Sequence, residues 1–514
     1  MSIKVVIKRS TYFDSVSLMS LSTKANQIAG VEQAVIAMGT EMNKEVLRNV
    51  GLLTPELEEA KSSDLMIVVK AGTDELCENA FTGIEELFTK KGETKGASEI
   101  KYATIDSAAK SIPEANLAII SVNGAFAARE ARKALENDLH VMLFSDNVSI
   151  EDEIALKQFA HENGLLLMGP DCGTAIIGNV ALCFGNAVRK GNIGIVAASG
   201  TGSQEVSVRI HDFGGGITQL IGTGGRDLSE QVGGIMMLDG IKALDEDEAT
   251  KVIVLISKPP APSVEEKVLA QVKQCKKPVV VYFIGGKEEA VLAAGGHFSK
   301  TSKEAALKAV VLAGANEDEI NKRALNWPLI EEVRAKLTAE QKYVRGLFCG
   351  GTLCDEAMYI AMETFEDVYS NIQKNPDYKL KNLHVSQAHT FLDLGDDDFT
   401  NGKPHPMIDP STRIARFLEE AKDPSVGVIL MDFILGFGSH EDPVGVMLPA
   451  IIEAKKQAEK DGRHLEILGY VMGTDLDSPK LEDQVGKLMA AGVTIASSST
   501  NAGLLAREFV VKGA

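Results

Sequence analysis

Asn192-Ile-Gly-Ile-Val-Ala-Ala-Ser-Gly-Thr-Gly-Ser203 reads as a β-strand that runs directly into a glycine turn and the start of a helix. Apolar and small residues fill 193–198 without a polar break, the pattern of a parallel strand buried on both faces. Val344-Arg-Gly-Leu-Phe-Cys-Gly-Gly-Thr-Leu-Cys354 repeats the design further along the chain. Downstream of each stretch comes an apolar strand ending in prolines or glycines, Val252–Pro260 (VIVLISKPP) and Val426–Gly438 (VGVILMDFILGFG). A further matched pair follows, Val279–Gly286 (VVVYFIGG) and Ile467–Gly473 (ILGYVMG). Matched landmarks in the same order predict two copies of one doubly wound α/β domain, over 191–325 and 343–514.

Working outward, a polar helical connector joins the copies through Trp327 to about Lys342. Upstream, 96–190 alternates strands at Ala115–Val122, His140–Phe144 and Leu165–Met168 with helices at Ala125–Asn137 and Ile150–Asn163. The first 95 residues read as a small α/β module. Its strands are Ile3–Lys8, Val31–Ala37 and Leu65–Lys70, its helices Ser15–Ile28 and Thr73–Lys90. A charged surface connection over 90–96 and an extended piece near Ile100–Thr104 follow.

Composition narrows the function classes. With 72 acidic against 53 basic residues the chain carries −19, a long-range field that repels nucleic acid and anionic membrane. No apolar run approaches membrane-spanning length, and Met1–Tyr12 lacks the pattern of a secretory leader. The six cysteines form no C-x-x-C pair, so neither a zinc ribbon nor a disulfide framework is expected, and the setting is read as reduced and cytoplasmic.

Two features carry chemistry. In the glycine turns Ser199-Gly200-Thr201-Gly202 and Gly350-Gly351-Thr352, backbone N–H groups at the positive end of a helix dipole, helped by hydroxyls, suit a phosphate or carboxylate. The plainer alternative is a tight βα turn that uses glycine for packing. The second feature is an aspartate-rich stretch, Ala388–Asp409, holding His389, Asp393, Asp396, Asp397, Asp398, His405 and Asp409, and followed by Asp432, His440 and Asp442. Four of the nine histidines fall between His384 and His440. His405 sits between two prolines, which fix its backbone. An imidazole paired with a carboxylate, His405 with Asp409 or His440 with Asp442, would move protons near neutral pH. A solvated acidic loop or a metal site are the alternatives; the spacing matches no compact metal motif, and no metal is expected. Two later stretches, Met472–Pro479 and Ser497–Asn501, are read as capped loops or as walls of the same cleft.

Ser121–Phe126 (SVNGAF), Gly169–Gly178 (GPDCGTAIIG), Asn192–Gly216 and Gly222–Leu228 (GTGGRDL) follow one another in an order that, over roughly 115–315, resembles the α subunit of succinyl-CoA synthetase. It implies a Rossmann-like CoA-binding-type domain over 96–190 and two flavodoxin-like, ligase-type domains after it, with coenzyme A as the implied cofactor. The pattern departs where that family has its phosphohistidine. The strand end Ser257-Lys258-Pro259-Pro260 has no carboxylate, the histidine loop is missing, and His297 is the remaining candidate. No ATP-grasp domain is legible.

Asp14–Met19, Arg345–Cys354, Leu392–Asp397, Lys403–Asp409 and Gly436–Pro443 extend the similarity to the whole chain, which resembles the FdrA family. That resemblance implies an acyl-CoA synthetase-like subunit of a multi-subunit, oligomeric oxamate carbamoyltransferase of allantoin breakdown. Its partners would be the other carbamoyltransferase subunits, and its small anionic ligands oxalurate, phosphate and carbamoyl phosphate. The expected reaction converts oxalurate and phosphate into oxamate and carbamoyl phosphate. The helix ends would cradle phosphate and His405 or His440 would move the proton, with NDP-forming acyl-CoA ligation as the alternative.

Overall fold

A computed structural model describes residues 2–9, 11, 13, 15–26, 28–92, 101–400 and 404–511. Asp14, Lys403 and the connection at 93–100 lie outside the described residues. The chain divides into two compact units, one drawn from 1–101 with 399–404, the other from 102–398 with 405–514. Among the described residues no helix is long and apolar enough to cross a membrane.

The first unit holds β1 (Ser2–Lys8), α1 (Ser15–Asn26), β2 (Val31–Met38), β3 (Leu65–Ala71) and α2 (Asp74–Gly92). The sheet is antiparallel in the order β1-β3-β2. Strand periodicity splits the central strand between two cores. Leu65, Ile67 and Val69 pack with Leu18, Leu21 and Ala80 from the helices, while Met66 and Val68 meet Leu47, Leu52 and Leu57 on the opposite face.

The second unit opens with β4 (Leu117–Ile120), α3 (Gly124–Glu136), β5 (His140–Leu143), α4 (Ile150–Glu162) and β6 (Leu167–Met168), a parallel three-stranded sheet. The extended piece expected near Ile100–Thr104 does not form among the described residues. Thr104 instead caps the helix Ile105–Ser111, its hydroxyl accepting from the Ser107 amide. The stretch Met168–Gly178 contains β7 (Thr174–Ile177), which pairs antiparallel with β8 (Val180–Cys183).

The first doubly wound copy follows with β9 (Lys190–Ala198), α5 (Gly200–Asp212), β10 (Ile217–Gly222), β11 (Val252–Ser257), β12 (Val279–Phe283), β13 (His297–Phe298) and α6 (Ser302–Leu312). The second has β14 (Tyr343–Phe348), α7 (Gly351–Met362), β15 (Val368–Ser370), β16 (His389–Asp393), β17 (Val426–Ile434), β18 (Glu466–Met472), β19 (Thr494–Ala496) and α8 (Ser499–Val510). The sheets read β13-β12-β11-β9-β10-β7-β8 and β19-β18-β17-β14-β16-β15. In the first copy the opening strand β9 lies between β10 and β11, and in the second β14 lies between β16 and β17 with β15 added at the edge, so both copies share one winding, an α/β architecture with a crevice at the strand-order reversal. β11 and β17 are buried along their whole length, as strands covered by helices on both faces must be.

The copies interlock through mirrored carboxylates. Glu205, in the second turn of α5, accepts from the Tyr470 hydroxyl on β18 and, at 3.1 Å, from the Ser499 amide at the start of α8. Glu356, at the same place in α7, accepts from the Tyr282 hydroxyl on β12 at 3.2 Å and from the Ser302 amide at the start of α6 at 2.7 Å. Each buried acid thereby gains hydroxyl and helix-N-terminal donors that offset its desolvation. This brace sets α5 and α7 against each other and fixes where their first turns meet.

Candidate functional site

Both helices begin at the carboxyl end of the first strand of their copy, and the structure brings Ser199, Gly200, Thr201, Gly202, Gly350, Gly351 and Thr352 together. Ser199 ends β9 in extended conformation and caps α5, its hydroxyl accepting from the Gly202 amide at 3.1 Å. The Ser199 and Thr352 hydroxyls lie 2.6 Å apart, and the Thr352 amide donates to Thr201 Oγ1 at 3.4 Å. Glycine is required for this approach. A Cβ on Gly202 would stand 2.7 Å from the Thr352 methyl, and one on Gly350 3.1 Å from Thr201 Cβ.

The two helix ends are not equivalent. At α7 the Asp432 carboxylate accepts from the amides of Cys349 at 2.9 Å and Gly350 at 3.0 Å, and pairs with Arg413 at 3.1 Å. An internal anion therefore holds the place expected for phosphate at Gly350, a correction to the symmetric pair of cradles. Asp432 stands beside Tyr470 in the sheet, and the residue standing beside Tyr282 in the first copy is Ile256. At α5, accordingly, no acceptor meets the Gly200 or Thr201 amide among the described residues. Thr174 Oγ1, on a side chain 2% exposed, is also without a partner and lies 3.7 Å from where a Gly200 Cβ would be. A buried hydroxyl lacking a partner is costly, and an anion at the α5 N-terminus would satisfy it.

Lys258, the first residue beyond β11, brings a cation to this place. Its Nζ is 3.2 Å from Asp355 Oδ2 and 3.5 Å from the Cβ position on Gly351. Burial opposes its charge, but Asp355 and Asp393 outweigh that and lift it to about 12. Asp393, the last residue of β16, is pushed up to about 7, first by burial and then by Asp396, with Lys258 pulling the other way. A carboxyl titrating near neutrality beside a lysine and two helix ends is suited to proton transfer.

The histidine–aspartate pairs expected from the sequence do not form. His405 Nδ1 accepts from the Met407 amide at 3.2 Å, and Asp409 Oδ1 accepts from the Ser411 amide at 2.9 Å. His440 Nδ1 accepts from the Asp442 amide at 2.9 Å. The Asp442 carboxylate caps the following helix through Gly445 at 3.0 Å and pairs with Lys487 at 2.7 Å. In each case the backbone two or three residues on captures the side chain, for Asp409 and Asp442 the usual turn and cap chemistry of aspartate. Burial pushes His405 down to about 4, so near neutrality its ring is uncharged. With Nδ1 accepting, the ring proton sits on Nε2, and His405 is a neutral donor rather than an acid. It does reach the site's edge, since its Cε1 and the Cys349 carbonyl both crowd the Cβ position on Gly395, at 3.0 and 2.9 Å. His440 joins that loop through its amide, which donates to Met407 O at 2.8 Å. His297 pairs with Val280 on the edge strand β13, three strands from β9, too far for its ring to meet the α5 N-terminus.

In the sequence Lys258 marks only a missing carboxylate, although its place just past a strand's carboxyl end is where ligands bind in such sheets. Asp432 stands out as a polar residue in an apolar strand and Asp393 as the acid at a strand's end, but which amide each meets depends on strand pairing.

Residues 1–103 match a family model described as AllF, heavy metal-associated domain. Among the described residues no group of three or more His, Cys, Asp or Glu is placed to hold a metal ion. Residues 188–285 match a CoA binding domain, in the first doubly wound copy rather than in 96–190, and residues 347–509 match a CoA-ligase domain. The chain is 65% identical over 515 residues to the protein YahF of Escherichia coli K12, covering 100% of this chain and 99% of that one. It is 29% identical over 190 residues to the succinate–CoA ligase [ADP-forming] subunit alpha of Staphylococcus epidermidis, 36% of this chain but only 61% of that protein. A solved apo dinucleotide-forming acetyl-coenzyme A synthetase 1 from Ca. Korarchaeum cryptofilum aligns over 81% of this chain and 87% of its own, with 15% identity and a TM-score of 0.36.

Proposed function

The chain belongs to the same family as Escherichia coli YahF, and from that footing we propose that it is the acyl-phosphate-handling subunit of an enzyme of the acyl-CoA synthetase kind. The observation that carries this reading is the open α5 N-terminus: free amides, the Ser199, Thr201 and Thr352 hydroxyls, the unpartnered Thr174 hydroxyl, and Lys258 close by. Fixed dipoles and one ammonium suit the phosphoryl oxygens of an acyl phosphate, because they need no reorganisation as charge shifts between ground and transition state. In this reading a thiol such as that of coenzyme A attacks the acyl carbon, the C–O bond to phosphate breaks, and the thiol proton leaves with phosphate.

A carbamoyl version of the same chemistry is the second reading. It is favoured by the helix ends, where His297 is remote and the neutral His405 donates from Nε2, so no imidazole is poised to carry phosphate. Phosphate would then attack the carbamoyl carbon of oxalurate directly. The C–N bond breaks, carbamoyl phosphate forms, and the departing amide nitrogen of oxamate takes a proton, for which Asp393 replaces the histidines as donor. Completion of the site by other subunits belongs to both readings.

The test uses the chain together with the proteins that co-purify with it. One assay supplies acetyl phosphate and coenzyme A and measures thioester; the other supplies oxalurate and phosphate and measures carbamoyl phosphate. Lys258→Ala and Thr352→Val should each lower whichever activity is found by about a hundredfold. Full activity in both variants would remove this site from the reaction.

A further inference from the structure

Met472–Pro479 and Ser497–Asn501 do share a cleft, but it lies at the other end of α5. At the carboxyl ends of β18 and β19, the last turn of α5 closes a cavity of about 420 Å³. That volume falls within the range of small-molecule sites, and the place is where parallel sheets bind ligands.

Its wall gathers Arg189, Arg209, Arg323 and His211. Asp212 is shared, accepting from Arg209 Nη1 at 2.9 Å and from Arg323 Nη2 at 3.0 Å. Arg209 Nη1 also donates to the Ser497 carbonyl at 2.7 Å. Arg189 Nη1 donates to a neutral acceptor, the His211 carbonyl. His211 accepts the Arg189 amide on Nδ1 at 3.1 Å and therefore donates from Nε2 to Asp475 at 2.6 Å, so Asp475 is already engaged. The remaining acid, Glu205, stands 3.6 Å from Arg209 Nε, while its oxygens accept from Tyr470 and Ser499. Just behind, Lys303 bonds only to uncharged oxygens, the Arg323 carbonyl and Asn501 Oδ1, each at 3.1 Å. Burial, then Arg209 and Arg323, push its ammonium below the usual range. The α5 C-terminus contributes roughly half a negative charge, less than one guanidinium. The lining holds three arginines against two aspartates, a basic excess that runs against the chain's net charge of −19.

We propose that this cavity is a second anion site, separate from the helix N-termini, which takes a small organic molecule bearing a phosphate or carboxylate group on Arg189 and Arg323. Guanidinium supplies paired planar donors that match both groups. Arg189, Arg209 and Arg323 precede the second copy in the chain, whereas Gly473–Asp475 and Ser497 belong to it. An occupant therefore ties the two copies together, and α5 runs from this site to the α5 anion position about 18 Å away. The proposal does not rest on the catalytic reading.

Titration calorimetry of the full chain with inorganic pyrophosphate, and separately with malonate, tests it. At least one probe should bind, and the double variant Arg189→Gln/Arg323→Gln should weaken that event by about tenfold or more. Thr201→Val, at the other site, should leave it unchanged. Which probe is retained by the wild type distinguishes phosphate from carboxylate. Both arginines are exposed, so the unliganded variant should melt with the wild type. Silence from both probes, or equal affinity in the double variant, overturns the proposal.

Discussion

Asp393 ends a strand buried along its whole length and has lost the solvent that would keep it ionised, so its carboxyl rises to about 7. The unfolded chain releases that proton near 4, whereas the native one holds it to about 7. Between those values the native state binds more protons than the unfolded state. The contribution is complete at acid pH and is lost as pH climbs through the native value. Asp393→Asn should therefore gain stability relative to the wild type from about pH 4 to 7 and keep that relative gain at pH 8, by roughly 4 kcal/mol at most, read from melting curves across that range. Parallel curves for the two proteins would place the titration elsewhere. His405 gives a second check. With its ring held neutral down to about pH 4, its imidazole resonances should stay fixed between about pH 8 and pH 5.5. Local chemistry explains why the expected imidazole–carboxylate pairs were misjudged. Spacing put His405 near Asp409 and His440 near Asp442, but an aspartate followed closely by a helix start spends its oxygens on that helix.

Among elements, the strand ends and glycine turns were legible because buried parallel strands are written as apolar runs with glycine after them. The β7–β8 hairpin was not, since its short strand follows directly on a Gly-Pro stretch that reads as punctuation. Nor were Glu205 and Glu356, which look like ordinary helix-surface acids until the partner copy is in place. Removing one carboxylate strands several donors at once, so Glu356→Ala should cost about 2–4 kcal/mol by leaving Tyr282 and the Ser302 amide unanswered. Glu205→Ala should cost a similar amount through Tyr470 and Ser499, both read from the unfolding midpoint. At the helix junction Gly202→Ala meets the Ser199 hydroxyl at 2.5 Å and the Thr352 methyl at 2.7 Å. Activity in the assembled complex should fall, while the equally helical Gly486→Ala, which meets nothing within 4 Å, should be silent.

Across the whole molecule, repetition was the strongest signal: landmarks recurring in order located both doubly wound copies before any pairing was known. What repetition hid is the difference between the copies, because Asp432 and Ile256 sit in equally apolar strands. The mirrored braces predict that residues 1–325 and 343–514, expressed as separate chains in one cell, should recover each other as a one-to-one complex on size exclusion. Two fragments that elute apart would show the braces to be too weak to hold the copies together.

Tandem fusion also changes what mutation can do here. In a symmetric homodimer every codon change is expressed twice, so an aspartate that blocks one helix end blocks its twin and both ligand positions vanish together. Within a single polypeptide the two ends drift independently. One can be sealed permanently by its own side chain while the other keeps its amides unbonded, and two ends of one design become unequal.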